Sequence, residues 1–163
     1  MRYAKTLTIS AAIFVFFVAA VPAAAKYDAE IDAPEDVKEI CEKYGAEYNI
    51  SPEFLEAICW NESRYLPEVA SGSCKGIMQI NEPVHRKRME ALGAKDIFDA
   101  DDNIHTGADY LAELFKDHED PAAVLGLYHG ERNAVAKANA GKYSGYVSRI
   151  LEKAALLERL HGK

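Results

Sequence analysis

Apolar residues recur at helical spacing along most of this chain. One short stripe combines Leu55, Ile58 and Cys59 with Glu62, positions i, i+3, i+4 and i+7 on one helix face. Ser51-Pro52 precedes it, a hydroxyl cap followed by proline at the first helical position. These signals predict a helix from Pro52 to about Arg64. Upstream, Pro34 opens a helix with Val37, Ile40, Cys41, Tyr44 and Tyr48 on its apolar face, broken at Asn49-Ile50. From Leu66 to Lys75 the chain reads as loop, with Pro67 and Ser71-Gly72-Ser73 and no stripe. The apolar stretch Gly76-Ile77-Met78-Gln79-Ile80-Asn81 fits either a brief strand or an irregular turn.

Helical patterning then resumes. A helix from Pro83 to Leu92 is stopped by Gly93, a favoured residue after a helix end. Asp101-Asp102-Asn103 is expected to cap the next, whose stripe is Ile104, Ala108, Leu111, Leu114 and Phe115. Gly107 shares that face, which predicts that another element packs very closely there. Asp120-Pro121 starts a helix ending at Tyr128-His129-Gly130, and a small helix spans 132–139. The last runs from Ser144 to Leu160 through Tyr146, Val147, Ile150, Leu151, Ala154 and Leu157. The fold class is therefore mainly α, a single domain with a minimal β or irregular segment near 72–81, without βαβ alternation or repeats.

The first residues read differently. Arg2 and Lys5 precede an apolar run from Leu7 to Val21, then Pro22 and Ala23-Ala24-Ala25. This is the pattern of a secretory signal peptide over 1–25 with a small-residue cleavage site. The run is short for a membrane span of about 20 residues, so the expectation is cleavage and release, with no stable membrane insertion afterwards. Residues 26–33 are then a flexible polar leader and 34–163 the folded domain, acting as a monomer in an extracytoplasmic setting (cell wall or periplasm).

Charge and cysteine content narrow the picture. The formal net charge of −7 becomes −9 once Arg2 and Lys5 leave with the signal. An acidic domain lacks the basic patch of nucleic-acid binders and long-range attraction to anionic surfaces. A polymeric substrate has to be held by a shaped groove. Of three cysteines, Cys41, Cys59 and Cys74, at least one stays unpaired. Cys59 sits one turn before Glu62 and Cys74 just before Gly76-Ile77-Met78-Gln79, which favours a Cys59–Cys74 disulfide, and three small buried thiols are the equal alternative. The spacing matches no compact metal motif. Nor does the acidic run from Asp99 to Asn103 match an EF-hand loop; it reads as a solvated helix cap. No metal and no organic cofactor is implied.

Glu62 carries the candidate chemistry. A carboxyl on an apolar face loses hydration, which raises its pKa, and a carboxylic acid protonated near neutrality can protonate a leaving group. Around it stand Glu62-Ser63, Gly76-Ile77-Met78-Gln79, Asn103-Ile104 with Gly107-Ala108-Asp109-Tyr110-Leu111, and Leu127-Tyr128-His129-Gly130-Glu131. In this order the four segments resemble the motifs of the soluble lytic transglycosylase family, in the lysozyme-like superfamily that includes goose-type lysozymes. The resemblance covers about Ile50 to Leu151.

The resemblance implies peptidoglycan glycan strands as substrate, cut between N-acetylmuramic acid and N-acetylglucosamine to leave 1,6-anhydro ends, with Glu62 acting as acid and then as base. It implies Tyr128 beside the acid, steadying it or touching sugar, and Tyr146 at the cleft border in a lesser role. Gln79 would hydrogen-bond an acetamido group or sugar hydroxyl. Met78 would form an apolar wall, Ser63 would touch substrate or cap its helix, and Gly76 would allow close backbone approach. Trp60 receives no catalytic role.

Two departures from the family pattern stand out. His129 replaces an asparagine, retaining some hydrogen bonding and adding a group that titrates near neutrality. Glu131 is a second acid in the neighbourhood, able to activate water in an inverting muramidase if the carboxyls stood about 6.5–9.5 Å apart. A solvated residue in the first turn of a short helix is its plainer reading. The alternatives to a transglycosylase are thus a lysozyme-type hydrolase of the same bond and a non-catalytic glycan-binding or assembly module.

Overall fold

A computed structural model describes residues 31–163. The expected signal peptide and residues 26–30 of the expected leader lie outside the described residues. The last three leader positions are anchored: Ile31 and Ala33 are buried, Tyr65 Oη donates to the Ile31 carbonyl at 2.6 Å, and Asp32 pairs with Lys38 at 2.8 Å.

The described elements run α1 (Glu35–Tyr48), α2 (Pro52–Ser63), β1 (Ala70–Ser71), β2 (Cys74–Lys75), β3 (Ile80–Asn81), α3 (Glu82–Leu92), α4 (Ala100–Asp117), α5 (Pro121–Tyr128), α6 (Ala134–Asn139) and α7 (Gly145–Leu160). The fold is mainly helical, consistent with the lysozyme-like class. The open choice at 76–81 resolves as both readings: a turn over 76–79 followed by β3, in a three-stranded antiparallel sheet ordered β1-β2-β3. Part of the expected loop before it forms β1 and β2, two residues each.

Helix α2 is the axis of the domain, packed between α1 and α7. Its stripe is buried as expected, with Leu55, Ile58 and Cys59 wholly inaccessible. Yet α2 also buries Phe54, Ala57 and, less predictably, Glu53 and Glu56. A helix covered from several sides needs apolar residues all round, so the two carboxylates require special partners.

Helix boundaries follow their caps. Asp99, rather than the expected 101–103 run, caps α4 by accepting from the Asp102 amide. Asp102 instead accepts from the Lys95 and Asp96 amides at 2.6 and 2.9 Å, and Asp101 pairs with Lys43. Asn103 is buried within the helix. Asp120 caps α5 and Ser144 caps α7. The small helix starts at Ala134, two residues later than expected, because Asn133 adopts a left-handed conformation.

The close approach expected at Gly107 is present. A Cβ there would stand 2.5 Å from Met78 Sδ, so the bare backbone of α4 is what seats the 76–79 turn.

Candidate active site

The turn after β2 is held from below by one side chain. Asn103 Oδ1 accepts from the Met78 amide at 2.8 Å, and its Nδ2 donates to the Lys75 and Ile97 carbonyls at 3.0 and 2.7 Å. Gly76 lies directly over that amide, with φ +79 and room for no Cβ: one would meet Asn103 Nδ2 at 2.1 Å and Ile97 O at 2.4 Å. Gly76 is thus required by the turn itself, through left-handed backbone and close contact together.

Ser63, the last residue of α2, ties this turn to the helix that carries Glu62. Its buried hydroxyl lies 2.8 Å from the Ile77 carbonyl and 3.1 Å from the Cys59 carbonyl. The Cys59 contact is a bond to the end of its own helix, one of the two roles expected for Ser63. Tyr128, at the end of α5, makes a parallel tie by donating to the Met78 carbonyl at 2.9 Å. Met78 itself is fully buried, under the turn rather than on a cleft wall. Gln79 has φ +50 and donates its amide to the Val69 and Gly76 carbonyls at 3.0 and 2.9 Å. Its NH2 is therefore engaged by backbone, while its side chain borders a cavity of about 270 Å³ with Asn81, His85, Tyr110, Tyr128 and His129. A larger hollow of about 860 Å³, lined by Tyr48, Phe54 and Phe115 among others, contains none of the expected site residues.

Glu62 is half-buried beside this turn. Its Oε1 accepts from Tyr146 Oη at 2.6 Å. Burial raises its pKa above the ordinary carboxylate value, while the Tyr146 hydrogen bond and the nearby His129 and Arg149 pull it back down. His129 lies flat on Tyr146, ring centroids 3.8 Å apart and planes 12° from parallel. The result is a connected set: His129 stacks on Tyr146, which donates to Glu62. Burial, with Glu62 close by, holds the Tyr128 hydroxyl protonated, so it serves as a neutral donor.

Tyr146, placed at the border, is the one bonded to the acid; Tyr128 fastens the turn and faces the cavity. Sequence reasoning passed over Arg149, one turn beyond Tyr146 on α7, which acts on Glu62 electrostatically and reaches Asn61 Oδ1 at 3.4 Å. Its i, i+3 spacing from Tyr146 was the available signal. Trp60 points away from this set, packed under the Arg64 and Lys153 cations at 3.5 and 4.3 Å.

Glu131 is engaged elsewhere. Ser144 Oγ donates to its Oε1 and Lys137 Nζ pairs with its Oε2 at 3.0 Å, and these partners lower its pKa. The expected Cys59–Cys74 disulfide is absent. All three cysteines are free thiols, and buried Cys59 hydrogen-bonds Cys41 on α1, which raises the Cys41 pKa well above its usual value.

This arrangement coincides with a match to known sequences. Residues 39–148 fit the model of the transglycosylase SLT domain, a span running from α1 into α7 that contains Glu62, Ser63, the 76–79 turn, Asn103, Tyr128, His129 and Tyr146. The chain belongs to the transglycosylase SLT family. It is similar to an Escherichia coli protein called X polypeptide, 31% identical over 130 residues that cover 70% of this chain and 76% of that one. The X polypeptide of strain K12 is 32% identical over 116 residues, 65% of this chain and 68% of the other. A protein of Enterobacteria phage PRD1 named Transglycosylase is 32% identical over 114 residues, which are 69% of this chain but 40% of the phage protein. As an SLT-family member the chain is a peptidoglycan lytic transglycosylase, and its substrate class implies extracytoplasmic action. Among the described residues no helix is long and apolar enough to cross a membrane.

Proposed function

We propose that this SLT domain is exported and cuts the β-1,4 bond between N-acetylmuramic acid and N-acetylglucosamine, with Glu62 as the sole acid–base residue. Protonated Glu62 gives its proton to the departing glycosidic oxygen as oxocarbenium character develops at the muramic C1. The C6 hydroxyl of the same sugar then attacks C1 and loses its proton to the Glu62 carboxylate. This regenerates the acid and leaves a 1,6-anhydro end. Intramolecular attack supplies a high effective concentration of nucleophile, so neither a water nor a second carboxylate is needed.

The observation that carries this reading is the pairing of Glu62 with Tyr146. Burial favours the protonated acid before bond cleavage, and the phenol stabilises the carboxylate formed by it. Glu131, held by Ser144 and Lys137, is a poor general base for water, which favours transglycosylation over inverting hydrolysis. Export rests on the Arg2-to-Ala25 pattern. Mass spectrometry of digested peptidoglycan tests the reaction: anhydro ends, one water lighter than reducing ends, are expected, and reducing ends alone would replace the lyase with a hydrolase.

A further inference from the structure

The buried carboxylates of α2 form a second constellation, away from Glu62. Glu56 is 1% exposed, and its Oε2 has no hydrogen-bond partner. Ligand atoms of Asp32, Glu56 and His161 all lie within 4.8 Å of one another. These residues come from the start of the described chain, the middle of α2 and the residue that follows α7. A buried carboxylate oxygen without a partner is costly, so the position calls for a proton or a cation. Lys38 does not fill the role, because its amine is bonded to Asp32 at 2.8 Å.

Both ring nitrogens of His161 face carboxylates. Its Nδ1 lies 3.0 Å from Glu53 Oε1, and its Nε2 points at Asp32 Oδ1, 3.3 Å away. A carboxylate holding one imidazole nitrogen fixes the tautomer and presents the other nitrogen to a metal. Glu53 is fixed in turn by Ser51 Oγ at 2.8 Å and Lys163 Nζ at 2.7 Å. One imidazole and two carboxylates suit zinc-like ions better than calcium or magnesium, which prefer oxygen alone.

We propose that Asp32, Glu56 and His161 bind one divalent ion of zinc type, with water completing the shell and Glu53 as the outer carboxylate on His161. Zinc-ligand distances of about 2.0–2.2 Å require a modest contraction, which exposed Asp32 supplies by leaving Lys38. The two ligand carboxylates balance the charge of the ion. The ion would clamp both ends of the described domain onto α2, so its effect is on stability rather than on the Glu62 chemistry. The sequence suggested no metal because its donors are too widely separated to form a motif.

The test uses the purified protein, stripped with EDTA and titrated with Zn2+ alone. Equilibrium dialysis should find one equivalent bound, and the thermal midpoint should rise by several degrees. Glu56→Gln is nearly isosteric and relieves the unpaired charge, so it should fold; it and Asp32→Asn should each weaken binding at least tenfold and remove the thermal gain. His161→Gln should do the same. Cell-wall lysis by all three variants reports that they are folded. No zinc uptake by the wild type would overturn the proposal. So would undiminished uptake in the variants, which would place the ion elsewhere, for instance at the thiols.

Discussion

Tyr146 and Glu62 stand 84 positions apart in the chain and meet in a 2.6 Å hydrogen bond. Their helices, α7 and α2, pack against each other through Leu55, Ile58, Val147, Ile150 and the rest of the core. The acid is therefore set by the best-buried part of the domain. Packing fixes the donor, the donor tunes the acid, and the acid carries the proposed reaction.

Tyr146→Phe tests that link. Losing the phenol removes an interaction that lowers the Glu62 pKa, so Glu62 should keep its proton to higher pH. The alkaline limb of the pH–rate profile should move upward. Hydrogen bonds to charged groups are worth about 1.5–3 kcal/mol, so the maximal rate should fall roughly 10- to 100-fold. An unmoved alkaline limb would show that Tyr146 does not tune the acid.

His129→Asn restores the family residue and removes an imidazole that, when protonated, lowers the Glu62 pKa. The alkaline limb should again shift upward, by less than in Tyr146→Phe. A downward shift would contradict the placement of His129 on Tyr146.

Much of this arrangement was legible in the chain, for identifiable reasons. Ser51-Pro52 and Gly93 are local punctuation, and both mark the helix boundaries they suggested. Gly107 indicated a close contact, and Met78 supplies it. Tyr146 was undervalued because a tyrosine on an apolar stripe looks like core until its long-range partner is known. Asn103 read as part of a cap, whereas its three bonds to other segments are tertiary. Glu53 and Glu56 went unnoticed because α2 is covered from several sides, and a single-stripe reading assigns them to solvent.

Gly76→Ala should cost about 2–5 kcal/mol. It combines left-handed backbone strain for a residue with a Cβ with overpacking against Asn103 and Ile97. Urea unfolding measures this, and a change below about 0.5 kcal/mol would contradict the described turn.

Glu56 bears on the pH dependence of stability. Its folded pKa is raised to about 7 from 4.5, so the folded state holds an extra proton between those values. Stability from this group is present below about pH 4.5 and declines as pH rises towards 7. With EDTA present, Glu56→Gln should therefore raise the thermal midpoint at pH 8 and change it little at pH 4. Equal effects at both pH values would argue against a buried, unpartnered carboxylate.

The most direct test is the turnover of Glu62→Gln on purified peptidoglycan, with glycan binding and circular dichroism measured alongside. The variant should fold and bind as the wild type does, and release of anhydro-ended fragments should fall by at least about 10²–10⁴-fold. Release at the wild-type rate would remove Glu62 from the reaction, and with it the mechanism proposed for this domain.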